Sequence, residues 1–390
     1  MNQLLFEGRS LVGIVSSVIR QDDLRVAYSR LDWERMFRLA DFHKVSNIVY
    51  LGILGKGDSL PDKWRDRFFE RYQEALLFGE NCKEQVKEIL TWLDMREISC
   101  TVLTYEYIRD FYKIPEMAYN NALQILLDEE NYFYAKGYLI DLGYEIDQNY
   151  KGMGERMNKV SGISVMLYTQ LPFRTAKYIK NMTRLLETAI NKEPYHYIRM
   201  LPPESEFIYR MAGAAYRYVM DELTLREVLD LLHFHIIWRD ELHHEAVKKN
   251  LADFQIEDLA GKILRISYMW FGDKKDNYFQ NQLDDMSVYD VLEDRLLTKG
   301  IINHESDEQA LRLQSIIERD IEKERKQENR ELRREKWEKK KEQAMKKVRW
   351  AFPDYHYMSS IYPSLEKTPA LLPVFWVVRG VRLMLRVFTK

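Results

Sequence analysis

The chain has 390 residues, 46% apolar and 13% aromatic, enough for two or three domains with a sizeable core and too apolar for wholesale disorder. Its formal charge is −2 with 31% charged residues, so the chain as a whole is no polyanion binder, and any affinity for nucleic acid or a membrane must come from a local patch. Its two cysteines, Cys82 and Cys100, lie far apart, which excludes a CxxC motif and argues against disulfide scaffolds and thiolate zinc sites.

No basic segment followed by an apolar stretch opens the sequence, and the longest apolar run, Ala370 to Val378, is broken by Pro373 at about half the length that spans a bilayer. A cytoplasmic location is therefore expected.

The first hundred residues read as helix. Leu31, Met36, Leu39, Ala40, Val45, Ile48 and Val49 recur at mostly helical spacing across 31–53. A second helix follows Pro61, with Trp64, Phe68, Phe69 and Tyr72 on one stripe, and a third covers Cys82–Met95. The pattern then changes to short apolar runs, predicting strands at 98–103, 122–127, 144–146 and 163–168, with a helix ending at Gly143 between the second and third. A small mixed sheet with helices packed on it fits this order, so the fold class is α+β.

From Pro203 to about Gly272 the helical period returns. Residues 303–349 are charge-dense, with Glu322→Lys326, Glu335→Lys339 and Glu342→Lys346 at i,i+4 spacing and few apolar anchors, which predicts a long solvated helix. Beyond Trp350 come four prolines and then a basic amphipathic stretch, 374–390. The expected divisions are a helical region at 1–95, an α/β core at 96–200, a second helical region at 201–302, the charged helix at 303–349 and the Pro-rich, basic tail at 350–390.

The frame Val102-Leu103-Thr104-Tyr105, Ile114-Pro115, Ala122-Leu123-Gln124-Ile125-Leu126 and Leu142-Gly143-Tyr144 resembles a bacterial family of nucleotidyltransferase-like proteins often tied to surface-polysaccharide clusters. Asp32-Trp33, His43, Leu225-Arg226, Leu229-Asp230, Trp270-Phe271-Gly272 and the tail with Arg379 fit the same family in order, so the resemblance spans most of the chain. It implies a nucleotidyltransferase-like core in which a strand ends in Lys-Gly and a later strand carries Asp-x-Asp.

Nucleotidyl transfer relies on Mg²⁺ held by carboxylates, and residues i and i+2 of a strand point to the same face. At the positions the resemblance assigns to the acids this chain has Ala122, Gln124 and, on the following strand, Met166. Thr104 and Tyr105 replace Lys-Gly, and Ala118 replaces an Arg. The expectation is a pseudoenzyme. Thr104, Tyr105, Asn121, Gln124, Arg226 and Asp230 are its pocket-lining candidates, and Mg²⁺ and a nucleoside triphosphate are cofactors only if the protein is active.

Activity would need a relocated site, using Asp128 and Glu130 or the cluster from Asp230 to Glu245. In that cluster Asp240 with His243 or His244 would share a helix face as metal ligands, against the plainer reading of a polar helix surface. Arg226 and Asp230, one turn apart, read most simply as an ion pair bracing two helices. The tyrosines of 105–138 read more simply as packing than as a stacking platform. Gly152-x-Gly154 lacks the frame of a phosphate loop.

A protein partner is expected, nucleic acid is not. The tail is read as a helix docked on the fold or a partner, with weak contact to an anionic membrane as its alternative.

Overall fold

The computed structural model describes residues 3–22, 26–54, 60–80, 82–104, 112–118, 122–150, 153–160, 162–173, 175–273, 278, 287–298, 326, 330, 333–334, 337, 341 and 352–388. It forms two compact units, Met1–Asp320 and Ile321–Lys390.

The first unit opens with five helices, α1 (Gln3–Arg20), α2 (Trp33–Phe42), α3 (Ser46–Ile53), α4 (Asp62–Glu80) and α5 (Cys82–Met95). The continuous helix expected across 31–53 is two helices. Asp32 caps α2 by accepting from the amides of Glu34 and Arg35, and Lys44, at φ 57°, turns the chain left-handed before α3 begins. The apolar pattern survives the break because Met36, Ala40, Val45, Ile48 and Val49 all point into one core.

A seven-stranded mixed sheet follows, formed by β1 (Cys100–Thr104), β2 (Leu123–Leu126), β3 (Glu145–Tyr150), β4 (Gly154–Asn158), β5 (Val165–Tyr168), β6 (Ile190–Asn191) and β7 (Ile198–Met200) in the order β3-β4-β5-β2-β1-β7-β6. Helices α6 (Glu129–Asp141) and α7 (Ala176–Leu186) are interleaved with the strands. Neighbours β2 and β5 run parallel, as do β1 and β7, and the other pairs are antiparallel. This is an α+β fold, a mixed sheet with helices packed on both faces.

Strand alternation gives the sheet two different faces. Val102, Leu123, Ile125, Val165 and Leu167 pack with Val86, Leu90 and Leu93 of α5 and Leu139 of α6 in one apolar cluster. Leu103, Met166 and Tyr168 join the larger core made by the helices on the other side. Those include α8 (Pro203–Val219), α9 (Leu225–Trp238), α10 (His244–Asp253), α11 (Glu257–Phe271) and α12 (Ser287–Leu297). Each fully buried Leu or Ile contributes about 1.5–3 kcal/mol, so both faces are strongly held.

Strands β4, β6 and β7 were not expected. Gly154, in place of a loop glycine, starts β4 with φ 154°, and a Cβ there would lie 2.0 Å from the Leu167 carbonyl oxygen of β5. The glycine permits the two backbones to pair at that point.

The second unit contains α13 (Tyr355–Ile361) and α14 (Leu372–Phe388). The Trp376 indole N–H donates to the Pro353 carbonyl at 2.9 Å, and Trp376 packs on Phe352. Val374, Val377, Val378 and Val381 stay exposed. Of the charged block, Lys326, Arg330, Arg333, Arg334, Trp337 and Lys341 are helical and exposed, and the rest of it lies outside the described residues. Among the described residues no helix is long and apolar enough to cross a membrane.

Candidate functional site

One row of side chains crosses four strands. Arg156 of β4 pairs with Met166 of β5, Met166 with Gln124 of β2, and Gln124 with Thr104 of β1. Directly paired residues project from the same face, so the four side chains stand side by side. A bulge in β1 between Val102 and Thr104 places both Leu103 and Thr104 opposite Gln124 and turns Thr104 onto this row. Ala122, two residues before Gln124, lies on the same face.

The row floors a cavity of about 480 Å³. Thr104, Ala122, Gln124, Met166, Arg226 and Asp230 all line it. Tyr105 and Asn121 lie outside the described residues. The facing wall comes from α8 and α9, whose N-termini are set by Pro203 and by a capping box between Thr224 and Glu227. On α8, Arg210, Gly213, Ala214 and Arg217 recur along one stripe facing the cavity. Arg217 pairs with Glu227 of α9, and Arg210 with Glu206 at 2.5 Å. Tyr150, Tyr168, Phe173, Tyr209 and Tyr216 give the cavity an aromatic half, with Phe173 and Tyr216 meeting edge to face at 5.6 Å. The Tyr209 hydroxyl donates to Gln124 Oε1 at 3.3 Å.

Arg226 and Asp230 meet through more than a simple pair. Arg226, 0% exposed, donates to the carbonyls of Lys44 (3.0 Å) and Met117 (2.6 Å), to the Tyr112 hydroxyl (2.9 Å) and to Asn47 Oδ1 (2.9 Å). Tyr112 in turn donates to Asp230 Oδ1 at 2.6 Å. Asn47 donates to the carbonyls of Glu116, Met117 and Ala118, and the Leu225 amide donates to His43 Nδ1. The network ties α2, α3, the segment 112–118 and α9 into one wall of the cavity. Burial pushes the Tyr112 hydroxyl well above its ordinary range, and burial beside Arg226 pushes His233 down to about 4. Burial also lowers the Lys44 ammonium from its ordinary value.

A family model described as uncharacterised nucleotidyltransferase matches residues 29–272, most of the chain and the whole of this cavity. The chain belongs to that family. No curated protein and no solved structure matches it.

In an uncharacterised nucleotidyltransferase of this fold, Mg²⁺ would require a set of oxygen ligands on the sheet row. Here the row offers the amide oxygen of Gln124, already hydrogen-bonded, and the neutral Thr104 hydroxyl, beside a methyl at Ala122, a thioether at Met166 and the cationic Arg156. These residues do not fit the ion. Among the described residues no three of His, Cys, Asp and Glu come together as a metal set. Asp128 is the N-cap of α6, accepting from the Asn131 amide at 2.8 Å, and Glu130 lies in that helix's first turn. Neither lines the cavity.

Asp240, His243 and His244 do not share a helix face. Helix α9 ends at Trp238, Asp240 sits in the following turn, and Leu242 turns inward before His243 precedes α10. His243 Nδ1 lies 3.0 Å from Glu204, and His244 Nε2 lies 3.1 Å from the Tyr278 hydroxyl. Burial pushes the Cys100 thiol up to about 12, which keeps it un-ionised and unreactive. Among the tyrosines of 105–138, Tyr112 belongs to the Arg226 network, Tyr132 donates to buried Glu155, and Tyr138 stacks on Trp92 at 3.8 Å.

Apart from Arg226, the cavity's cations and its aromatics were not foreseen. The i, i+7 pair Arg210 and Arg217, with Gly213 and Ala214 between them, was the signal that could have found the α8 wall. Lys44 and Arg156 carry no such signal, since only the break after α2 and the unpredicted strand β4 bring them to the cavity.

Proposed function

We propose that this protein is a non-catalytic member of its family, a pseudoenzyme that acts as a binding partner or scaffold in a cell-envelope or polysaccharide pathway. The observation that carries this reading is the row Thr104–Gln124–Met166 with Ala122 beside it, neutral groups at or beside the positions that the resemblance gives to metal-binding acids. Losing several members of one catalytic unit removes roughly 10⁴- to 10⁶-fold of rate, non-additively. The pathway rests on the family resemblance. A cytoplasmic protein partner suits the charge-dense sequence of 303–349 better than nucleic acid does, because the chain as a whole is slightly acidic.

The test is pyrophosphate release from ATP, GTP, CTP and UTP with Mg²⁺ or Mn²⁺. No release above the uncatalysed background is expected, and turnover that disappears on chelation would overturn the reading.

A second reading concerns the tail. The exposed valines of α14 share their helix with Arg379 and Arg382, a composition suited to weak attachment at an anionic membrane surface. Removing residues 370–390 should then abolish sedimentation with anionic vesicles, and an unchanged bound fraction would remove the idea.

A further inference from the structure

A second cavity, of about 370 Å³, shares Lys44 and Arg156 in its wall with the first. The two spaces differ in chemistry. The larger presents tyrosines, Phe173 and three methionines. The smaller presents Asn47, Asn158, Ser164, Lys159 and the acids Asp41 and Glu74, and among the described residues no aromatic side chain lines it. Arg71 engages both acids, Asp41 at 2.8 Å and Glu74 at 2.9 Å, which leaves one net negative charge against Lys44, Arg156 and Lys159 in the same lining.

The wall between them is built for an anion. Helix α3 begins at Ser46 with no side-chain cap from Val45, and its partial positive N-terminus faces the smaller cavity. Ser46 lines that cavity and is 4% exposed, and its buried hydroxyl has no hydrogen-bond partner. An orphaned buried hydroxyl is costly unless a ligand completes it. Arg156 Nε is likewise without a hydrogen-bond partner, its nearest carboxylate oxygen being Asp147 Oδ2 at 3.9 Å.

We propose that the two cavities form one bipartite, metal-independent site for a pyrophosphate-linked conjugate. Ser46, the α3 N-terminus, Lys44 and Arg156 hold the phosphates, a flat apolar group occupies the aromatic cavity, and a polyhydroxylated group occupies the polar one. Nucleoside-diphosphate hexoses have this chemistry. The proposal rests on the non-catalytic reading in one respect: the cations of the protein replace the metal.

The test is calorimetric titration in EDTA of inorganic pyrophosphate and of the uridine, guanosine and adenosine diphosphate hexoses. Pyrophosphate should bind without metal, and at least one conjugate should bind 10-fold or more tighter. Losing a charged donor should weaken both by roughly 10- to 100-fold in Arg156→Gln, and losing a neutral one by roughly 3- to 10-fold in Ser46→Ala. Ser46→Ala should do so without lowering the melting temperature of the ligand-free protein, which a purely structural serine would not allow. No heat at millimolar pyrophosphate, unchanged affinity in both variants, or conjugates no tighter than pyrophosphate would each overturn the proposal. Metal-dependent turnover of a nucleoside triphosphate would instead overturn the non-catalytic reading and leaves metal-free affinity to be judged on its own result.

Discussion

Arg226 has no solvent contact, and its guanidinium and Asn47 together satisfy the carbonyls of two loops. The sequence spacing of Arg226 and Asp230 pointed to a brace between helices, and the buried network around them is a brace among four segments. Its extent was not legible, because Tyr112 and Asn47 are more than a hundred residues from Arg226 and nothing local marks them. Removing one member of a buried charged network leaves its partners orphaned, at about 3–5 kcal/mol. Arg226→Ala should therefore lower the unfolding free energy measured in urea by that amount, and Asn47→Ala should lower it less, since the charge remains. An Arg226→Ala protein as stable as the parent would mean that the network is open to water.

His233 lies in the same region, its ring 4.5 Å from Tyr112 and its pKa pushed down to about 4 by burial and then by Arg226. An unfolded histidine titrates near 6.5, so the unfolded chain binds this proton first as pH falls. The native state is at full stability above about pH 6.5 and loses stability from there down to about pH 4, by up to about 3 kcal/mol. Denaturant unfolding at pH 4 to 7 should show this loss in the parent and a shallower one in His233→Gln. Identical slopes would place the titration elsewhere.

Among the elements, the strands that could be read in the sequence are those buried on both sides. β1, β2 and β5 alternate between the two cores and so appear as continuous apolar runs. β3 is exposed along nearly its whole length, so only its start, within the strand expected at 144–146, was read, and β6 is two exposed residues that carry little pattern. β4 was hidden by its polar letters, Gly154-Glu155-Arg156, although Glu155 is buried and paired with Lys136 at 2.6 Å.

The strand row also defines what is missing chemically. Ala122, just before β2, and Gln124 on it share a face, with Gln124 paired to Met166, the arrangement that two aspartates would need to hold a cation. The double variant Ala122→Asp, Gln124→Asp should gain Mn²⁺ affinity that the parent lacks, measured by calorimetry. Two carboxylates and solvent give only a weak site, so a millimolar to high-micromolar constant is expected. Failure to gain any affinity would mean that the neighbouring cations Arg156 and Arg217 repel the ion.

For the whole molecule, the family assignment and the α+β class followed from the order of short motifs, because that order survives even where individual letters change. The cavity's function did not follow, because its basic and aromatic walls come from helix-to-sheet packing that no single segment displays. A site of this kind also acts on the stability of the entire first unit. A ligand that binds only the folded state stabilises it by RT ln(1 + [L]/Kd), about 2.7 kcal/mol at a hundredfold excess over Kd. Because the pyrophosphate-binding groups are drawn from α3, β4 and the turn at Lys44, the gain should apply to one cooperative transition. In EDTA, saturating pyrophosphate should then raise the melting temperature of the first unit by a few degrees, at about 1.5 °C per kcal/mol for a unit of this size. The shift should be much smaller in Arg156→Gln and should fall with added salt, since screening weakens exposed charge more than buried charge. A shift of equal size in the variant would trace the stabilisation to general ionic effects, and the cations between the two cavities would be structural only.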